Sequence, residues 1–392
     1  MSIKIIRSST VPMSLKGFCK DLLRELHEKE GYEVVAVSSP GEDLDVVAQR
    51  EGVRTYGVPM ERHISPLKDL KSLFGLIRVF RKERPTMVHS MTPKAGLLSM
   101  MAGWICRVPV RIHTFTGLVF PTSTGLKQKI LILTDRLTCA CATHVIPEGE
   151  GVKSDLTNYR ITRKPLRILG HGNVKGIDLK HFDPTRTEVL DEADRIRKDL
   201  KIADDEFVFV FVGRLVGDKG INELVEAFSR LREKYPKCRL ILVGPEEAKL
   251  DPLRPQTLQE IEVNGGIEAV GSQSDVRPWY MAGDAFVFPS YREGFPNCVI
   301  EAGAMGKPSV VTDINGSREI ILDGENGVII PSKDADALYS AMERMMTDAE
   351  SRQRMAANAR QLVAERYEQS YVRQCLKDYY RQVLADNNPV NS

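Results

Sequence analysis

Two carboxylates, Glu293 and Glu301, stand eight positions apart in the stretch REGFPNCVIE. Between them lie Gly294, Phe295, Pro296 and Asn297, then a short apolar run. Proline suits the first position of a helix, where its missing N–H costs nothing. A helix from about Pro296 leaves the N–H groups of Phe295, Asn297 and Cys298 to face an anion, with the helix dipole behind them. Glu293 then sits just before that end. An acid there fits a neutral polyol, whose hydroxyls donate to it. Glu301 falls one turn past Asn297 on the same face and can accept from a second set of hydroxyls, such as a ribose. The spacing brackets a ligand made of sugar, diphosphate and ribose. A helix-start charge and an ordinary surface Glu would give the same letters, so the rest of the chain must decide.

A second stretch, VGRLVGDKGI, supplies the opposite charge. Gly213 ends an apolar run, and Arg214 and Lys219 follow on a loop that enters a helix near Ile221, with Gly220 between. Two cations beside a helix start make a diphosphate site. Gly244, in LVGPEE, ends another strand and is expected to line the same pocket. Backbone groups near Val270 and Gly271, in EAVGSQSDV, are placed to meet the edge of a flat base.

These loops need a scaffold that brings strand ends together. IKIIRSS and YEVVAVSS read as strands, and LKGFCKDLLRELHEKEG between them has the apolar spacing of one helix. Strand and helix keep alternating through PLKDLKSLFGLIRVFRKER, TMVHSM, KAGLLSMMAGWIC and VRIHTFTG. The segment LRILGHGNVKGIDLKHFDP reads as a crossing, after which the rhythm resumes with EFVFVFVGRL and CRLILVG, apolar enough for burial on both faces. The fold class is therefore α/β: two Rossmann-like domains with a cleft between them. Their expected bounds are 1–180 and 181–366, with 367–392 a C-terminal helix.

The chain has 392 residues, 28% charged and 42% hydrophobic, which suits two soluble domains. Its longest apolar run, Ala95 to Cys106, falls short of the ~18 residues of a membrane span. The N-terminus turns polar too early for a secretory signal, so a cytoplasmic location is expected. The seven cysteines are scattered, and only Cys139 and Cys141 are close. No second pair or histidine completes a zinc spacing, so no metal is expected. Net charge is +2, but residues 1–180 carry 28 Lys and Arg against 17 Asp and Glu. That half is expected to face something anionic. LKDLKSLFGLIRVFRKER and GLKQKILILTDRL both interleave cations with apolar residues, as interfacial helices do. A solvated basic face on a buried helix gives the same pattern. Nucleic acid fits poorly, because aromatic interleaving and any known module are missing.

EGFPNCVIE resembles the E-x7-E motif of retaining glycosyltransferases of the GT-B fold, in the large GT4 family. VGRLVGDKG is similar to that family's phosphate loop. PSYREGFPNCVIEAGAMGKPSVVTDINGSREIILDGENGVIIP resembles its C-terminal half, and VHSMTPKAGLLSMMAGWICRVPVRIHTFTGL its N-terminal half. The resemblance implies a GT-B fold, with the parallel sheets of two Rossmann-like domains facing across a cleft. It implies that Glu293 contacts the donor sugar, Glu301 the ribose, and Arg214 and Lys219 the diphosphate. Gly294, Phe295 and Asn297 would line the donor. Gly17, in the loop opening the first helix, would approach the phosphates from the other domain, although the family's usual double Gly is absent. Many members also have His directly before the Gly of HTFTG. Here that position is Thr116, with His113 three residues earlier and expected to support the strand end. His113, Thr116 and His171 are the candidate sugar or acceptor contacts.

The overall style resembles that of bacterial enzymes that extend capsule or O-antigen repeat units. A nucleotide-sugar donor, UDP-linked by expectation, would meet a polyprenyl-diphosphate-linked glycan at an anionic membrane surface, with no cofactor. A sugar-nucleotide epimerase needs acid and base groups around the ring, which E-x7-E does not supply. A catalytically silent nucleotide-sugar-binding protein and a transferase with a soluble acceptor are the remaining alternatives.

Overall fold

The computed structural model describes residues 3–61, 63, 65–247 and 251–387. The chain divides into two compact units, one made of 1–176 with 370–392 and the other of 177–369.

The first unit runs β1 (Lys4–Ser8), α1 (Pro12–Phe18), α2 (Leu22–Glu28), β2 (Glu33–Ser38), α3 (Glu42–Glu51), β3 (Arg54–Gly57), α4 (Pro66–Glu83), β4 (Met87–Met91), α5 (Pro93–Ile105), β5 (Val110–Phe115), α6 (Gly125–Cys141), β6 (His144–Pro147) and α7 (Glu150–Asn158). The second runs α8 (Thr187–Asp199), β7 (Phe207–Val212), α9 (Ile221–Lys234), β8 (Cys238–Val243), α10 (Pro255–Val263), β9 (Ile267–Gly271), α11 (Arg277–Ala282), β10 (Ala285–Phe288), α12 (Asn297–Ala304), β11 (Ser309–Thr312), α13 (Ser317–Ile320), β12 (Gly327–Ile330), α14 (Ala335–Thr347) and α15 (Ala349–Tyr367). The last helix, α16 (Gln369–Asp386), belongs to the first unit.

Each unit holds a six-stranded, all-parallel sheet. The orders are β3-β2-β1-β4-β5-β6 and β12-β11-β10-β7-β8-β9. Counted from each unit's own first strand, both are the doubly wound order 3-2-1-4-5-6. The run FVFVFV of β7 is buried from its second residue on, as a strand covered by helices on both faces must be.

Strand neighbours in the first unit point to opposite faces. Ile6, Val35 and Val88 pack with α4, α5 and α6, while Ile5, Val34 and Met87 pack with α1–α3 and α16. The helix expected across 15–30 is two. Asp21 takes a left-handed φ of 59°, and the buried Glu51 carboxylate accepts from the N–H groups of Asp21 and Arg24 at 2.9 and 3.2 Å. That carboxylate caps a fresh helix start inside what the apolar spacing reads as one helix.

Under α16 lies a buried polar knot. Tyr380 Oη accepts from Arg7 Nη1 at 2.7 Å and lies 2.5 Å from His89 Nδ1, while His89 Nε2 bonds Thr114 Oγ1 at 2.7 Å. Burial and the neighbouring Arg7 hold His89 well below the ordinary imidazole range, so it is neutral and can accept at Nδ1. Arg7 is buried and forms no ion pair with a carboxylate among the described residues. Its charge rests on these neutral acceptors. Tyr380→Phe removes one of them and is expected to cost about 1.5–3 kcal/mol, the range for a hydrogen bond to a charged group. Urea unfolding curves of wild type and variant that superimpose would rule this out.

Candidate active site

In an open parallel sheet, ligands bind beyond the carboxyl ends of the strands, where the strand order reverses. In the second unit that point lies between β7 and β10. The loop after β7 carries Arg214 and Lys219, and the loop after β10 carries Glu293. Topology thus makes neighbours of residues that are far apart in sequence.

The two loops are sewn together by short bonds. Tyr291 N donates to the Asp218 carbonyl at 2.8 Å, and Arg292 pairs with Asp218 at 2.9 Å. Asp251 holds the first loop from beneath, accepting from Asp218 N at 2.5 Å. Gly220 turns this loop into α9 with φ 72°, and a Cβ there would strike the Pro289 carbonyl oxygen. The chain reverses where only glycine fits.

The result is a direct ion pair between Lys219 Nζ and Glu293 Oε1, with both side chains less than one-fifth exposed. Ser290 Oγ donates to the same Glu293 oxygen at 3.0 Å, and the Lys219 ammonium lies 5.6 Å from the centre of the Phe288 ring. Expected to serve the sugar and the diphosphate separately, Glu293 and Lys219 are joined to each other. Arg214 goes elsewhere, to Glu247 at 2.7 Å on the loop after β8, while still feeling the Asp218 and Glu293 carboxylates. Glu247 was not singled out from the sequence, although the PEE that follows Gly244 places acids there.

The helix after Glu293 starts one residue later than its proline suggests. Pro296 is the cap, with ψ 106°, and Asn297 is the first helical residue. The Pro296 carbonyl already accepts from Val299 N at 3.2 Å. Gly294 lies in the loop just before, and the Phe295 ring is buried against Tyr367. Glu301 is partly exposed, one turn beyond Asn297, and accepts from the buried Tyr280 hydroxyl at 3.3 Å. Cys298 reports on the spacing of the two acids. Burial, then the Glu293 and Glu301 carboxylates, push its thiol well above the usual range, so both acids act on one atom. That thiol stays protonated and is no nucleophile.

Gly244 and Val270 complete the rim. Gly244 N donates to the Gly271 carbonyl at 2.9 Å, and a Cβ at Gly244 would strike the carbonyl oxygen of Gly213, so three strand-end loops touch through bare backbone. The Val270 carbonyl accepts from Gln273 Nε2 at 2.8 Å. Among the described residues no three His, Cys, Asp or Glu side chains gather as a metal set.

Candidates in the first unit fare differently. Gly17 is not in a loop opening the first helix; it is an exposed residue in the last turn of α1, which Pro12 starts early. The loop after β1 instead presents Thr10, at the order reversal between β1 and β4. Thr10 Oγ1 meets Thr92 Oγ1 at 2.8 Å, and Thr92 holds a φ of 71° that a β-branched residue rarely adopts. Neither threonine was expected, and only a strained backbone marks them. His113 is buried on β5, bonded to Ser90 Oγ at 2.9 Å and packed on Gly96 of α5. Burial lowers it to about 3, which fits a neutral prop for the strand end. Thr116 follows β5, partly exposed. His171 is exposed, its ring centre 6.1 Å from that of Tyr371.

Comparisons with known proteins bear on both units. Residues 18–172 match the model for a glycosyl transferase 4-like domain, and 192–362 that for glycosyl transferases group 1. The chain is 32% identical over 330 residues to the capsular polysaccharide biosynthesis glycosyltransferase CapM of Staphylococcus aureus, covering 84% of each chain. It is 29% identical over 302 residues to the UDP-Gal:alpha-D-GlcNAc-diphosphoundecaprenol alpha-1,3-galactosyltransferase of Escherichia coli, covering 76% of each. Among solved structures, Anabaena HepE in complex with UDP superimposes with a TM-score of 0.78 at 16% identity, covering 97% of this chain and 100% of that one.

Proposed function

Since the chain belongs to the glycosyltransferase family that carries these 4-like and group 1 domains, in the GT-B fold, we propose that it is a retaining, metal-independent transferase. It would move a hexosyl or N-acetylhexosaminyl group from a UDP-sugar to a polyprenyl-diphosphate-linked glycan in bacterial surface polysaccharide biosynthesis. The relatives support that choice of partners: the E. coli enzyme's name gives UDP-Gal and a diphosphoundecaprenol acceptor, and the S. aureus relative is a capsule enzyme.

The observation that carries the reading is the Lys219–Glu293 pair at the β7/β10 reversal, with Glu301 one turn into α12. In the step proposed, the bond from the sugar's anomeric carbon to the departing phosphate oxygen breaks. A bond from the acceptor hydroxyl oxygen forms on the same face. The acceptor's proton passes to the leaving diphosphate. Charge grows on that diphosphate, and Lys219, Arg214 and the α12 N-terminus are the groups placed to stabilise it. Glu293, relieved of part of its hold on Lys219, is free to accept from sugar hydroxyls, while Glu301 serves the ribose.

A bilayer surface is the natural place for such an acceptor. Leu126, Ile130, Leu133 and Leu137 form one exposed stripe along α6, and Leu126 and Leu133 are 73% and 66% exposed. Lys127, Lys129 and Arg136 are exposed on the same helix. Residues 61–141 carry 13 Lys and Arg against 4 Asp and Glu. Among the described residues no helix is long and apolar enough to cross a membrane, so the contact proposed is interfacial.

The test is a panel of UDP-, GDP- and ADP-sugars with a short-chain polyprenyl-diphosphate glycan acceptor, read by released nucleotide and by the anomeric coupling constant of the product. A product of opposite anomeric configuration to the donor would overturn retention. Release that is indifferent to the acceptor would overturn the acceptor class. Turnover abolished by chelation and restored by a divalent ion would overturn metal independence.

A further inference from the structure

A second basic feature lies at the amino-terminal ends of β4 and β5, two interior strands of the first unit's sheet. There a pocket of about 650 Å³ is lined by Arg81, Arg84, Pro85, Cys106, Arg107 and Pro109, among others. That volume falls within the range of ligand sites, ~300–1,000 Å³. The C-terminal ends of α4 and α5 meet at it. Arg84 ends α4 in the left-handed region, with φ 48°, and its N–H bonds the Phe80 carbonyl at 2.8 Å. Arg107 ends α5 in the same way, with φ 56°; its N–H reaches Trp104 O and the next reaches Gly103 O. Glycine is the usual occupant of that position.

A cation at a helix C-terminus offsets the dipole, and Arg160 and Lys201 end α7 and α8 with similar backbone. One such arginine therefore says little. Three together are out of proportion. Two helix ends carry roughly half a negative charge each, about one unit, against three guanidinium charges. None of Arg81, Arg84 and Arg107 is ion-paired among the described residues. The nearest acid in sequence, Glu83, is turned inward, where Lys4, Arg54 and Tyr56 hold it. A surplus of about two positive charges remains around an open cavity, and planar guanidinium forks match phosphate oxygens.

We propose that this pocket binds a phosphate ester group, at a site separate from the transferase centre and independent of the transfer reading. Its rim favours a lipid headgroup as the source. Trp104 is 62% exposed and Ile105 40% exposed, next to Cys106 and Arg107. An exposed Trp beside cations is the composition of a membrane interface.

The test uses the full chain and R84G/R107G. Glycine at these left-handed positions removes the guanidinium and relieves the backbone, so folding stability should hold or rise. The reporter is peptide-resolved alkylation of Cys106, with Trp104 emission followed in a W279F background. The probes are inorganic pyrophosphate, vesicles of phosphatidylglycerol and vesicles of phosphatidylcholine. A probe at twice its Kd should slow Cys106 alkylation about threefold, by the factor 1 + [L]/Kd. R84G/R107G should show no such protection while releasing nucleotide from the donor at the wild-type rate. Protection by phosphatidylglycerol with a blue shift of Trp104, but none by pyrophosphate, assigns a headgroup. Protection by pyrophosphate assigns a soluble phosphate. Absence of protection by any probe, equal protection by both lipids, or protection that survives in R84G/R107G overturns the site.

Discussion

Lys219→Ala is expected to lower kcat by roughly 100- to 1,000-fold, the cost of removing one preorganised donor from a developing oxyanion. The effect should fall on turnover because the ammonium is most useful when the diphosphate departs with added negative charge. Without donor, Lys219 is already engaged by Glu293, and Ser290 backs the same carboxylate oxygen. The variant therefore also strands a mostly buried carboxylate, and some stability will be lost with the activity. Lys219→Ala/Glu293→Gln separates the two effects. It should recover the melting temperature that the single variant loses and leave kcat low. A near wild-type kcat in Lys219→Ala, measured at saturating donor, would remove Lys219 from the mechanism.

Glu301→Ala should weaken binding of the free nucleoside diphosphate by about 1–3 kcal/mol, the range for lost hydrogen bonds to a charged group. Its carboxylate is partly exposed at the rim, with the Tyr280 hydroxyl 3.3 Å from one oxygen. Tyr280 is buried, and its single hydroxyl proton is shared between Glu301 and the Cys298 carbonyl, 3.2 Å away. The acid is thus oriented before any ligand arrives, which limits the ordering cost of binding. Calorimetry with UDP checks this, and unchanged affinity would defeat the ribose assignment. Glu301→Gln keeps the shape and one acceptor, so its loss should be smaller.

Alternation of apolar strands with amphipathic helices made both parallel sheets legible, because burial on two faces writes itself into runs such as FVFVFV. Glu293 and Lys219 were legible as strand-end residues, since Gly213, Gly220 and Pro296 punctuate their loops. Their pairing was not. It depends on β7 and β10 being neighbours, which is a property of strand order and leaves no local trace. The same holds for Arg214 and Glu247. The Gly17 error has a different origin. Apolar spacing starts the helix at Leu15, but Pro12 starts α1 three residues earlier and carries Gly17 into its last turn, while the break between α1 and α2 is made by Glu51, thirty residues downstream of Asp21. Thr10 and Thr92 were hidden because threonine is common and its strained φ is visible only in the backbone.

The chain order of the units bears on how the protein is made. The second unit is continuous, 177–369, whereas the first needs the helix α16, whose Tyr380 closes the Arg7 knot. On a ribosome adding roughly 5–20 residues per second, the second unit can fold while the first still has its Arg7 knot open. The N-terminal half therefore waits, partly formed, for the last helix to be synthesised. A nascent chain stalled before α16 should show the second unit resistant to protease and the first still open to it.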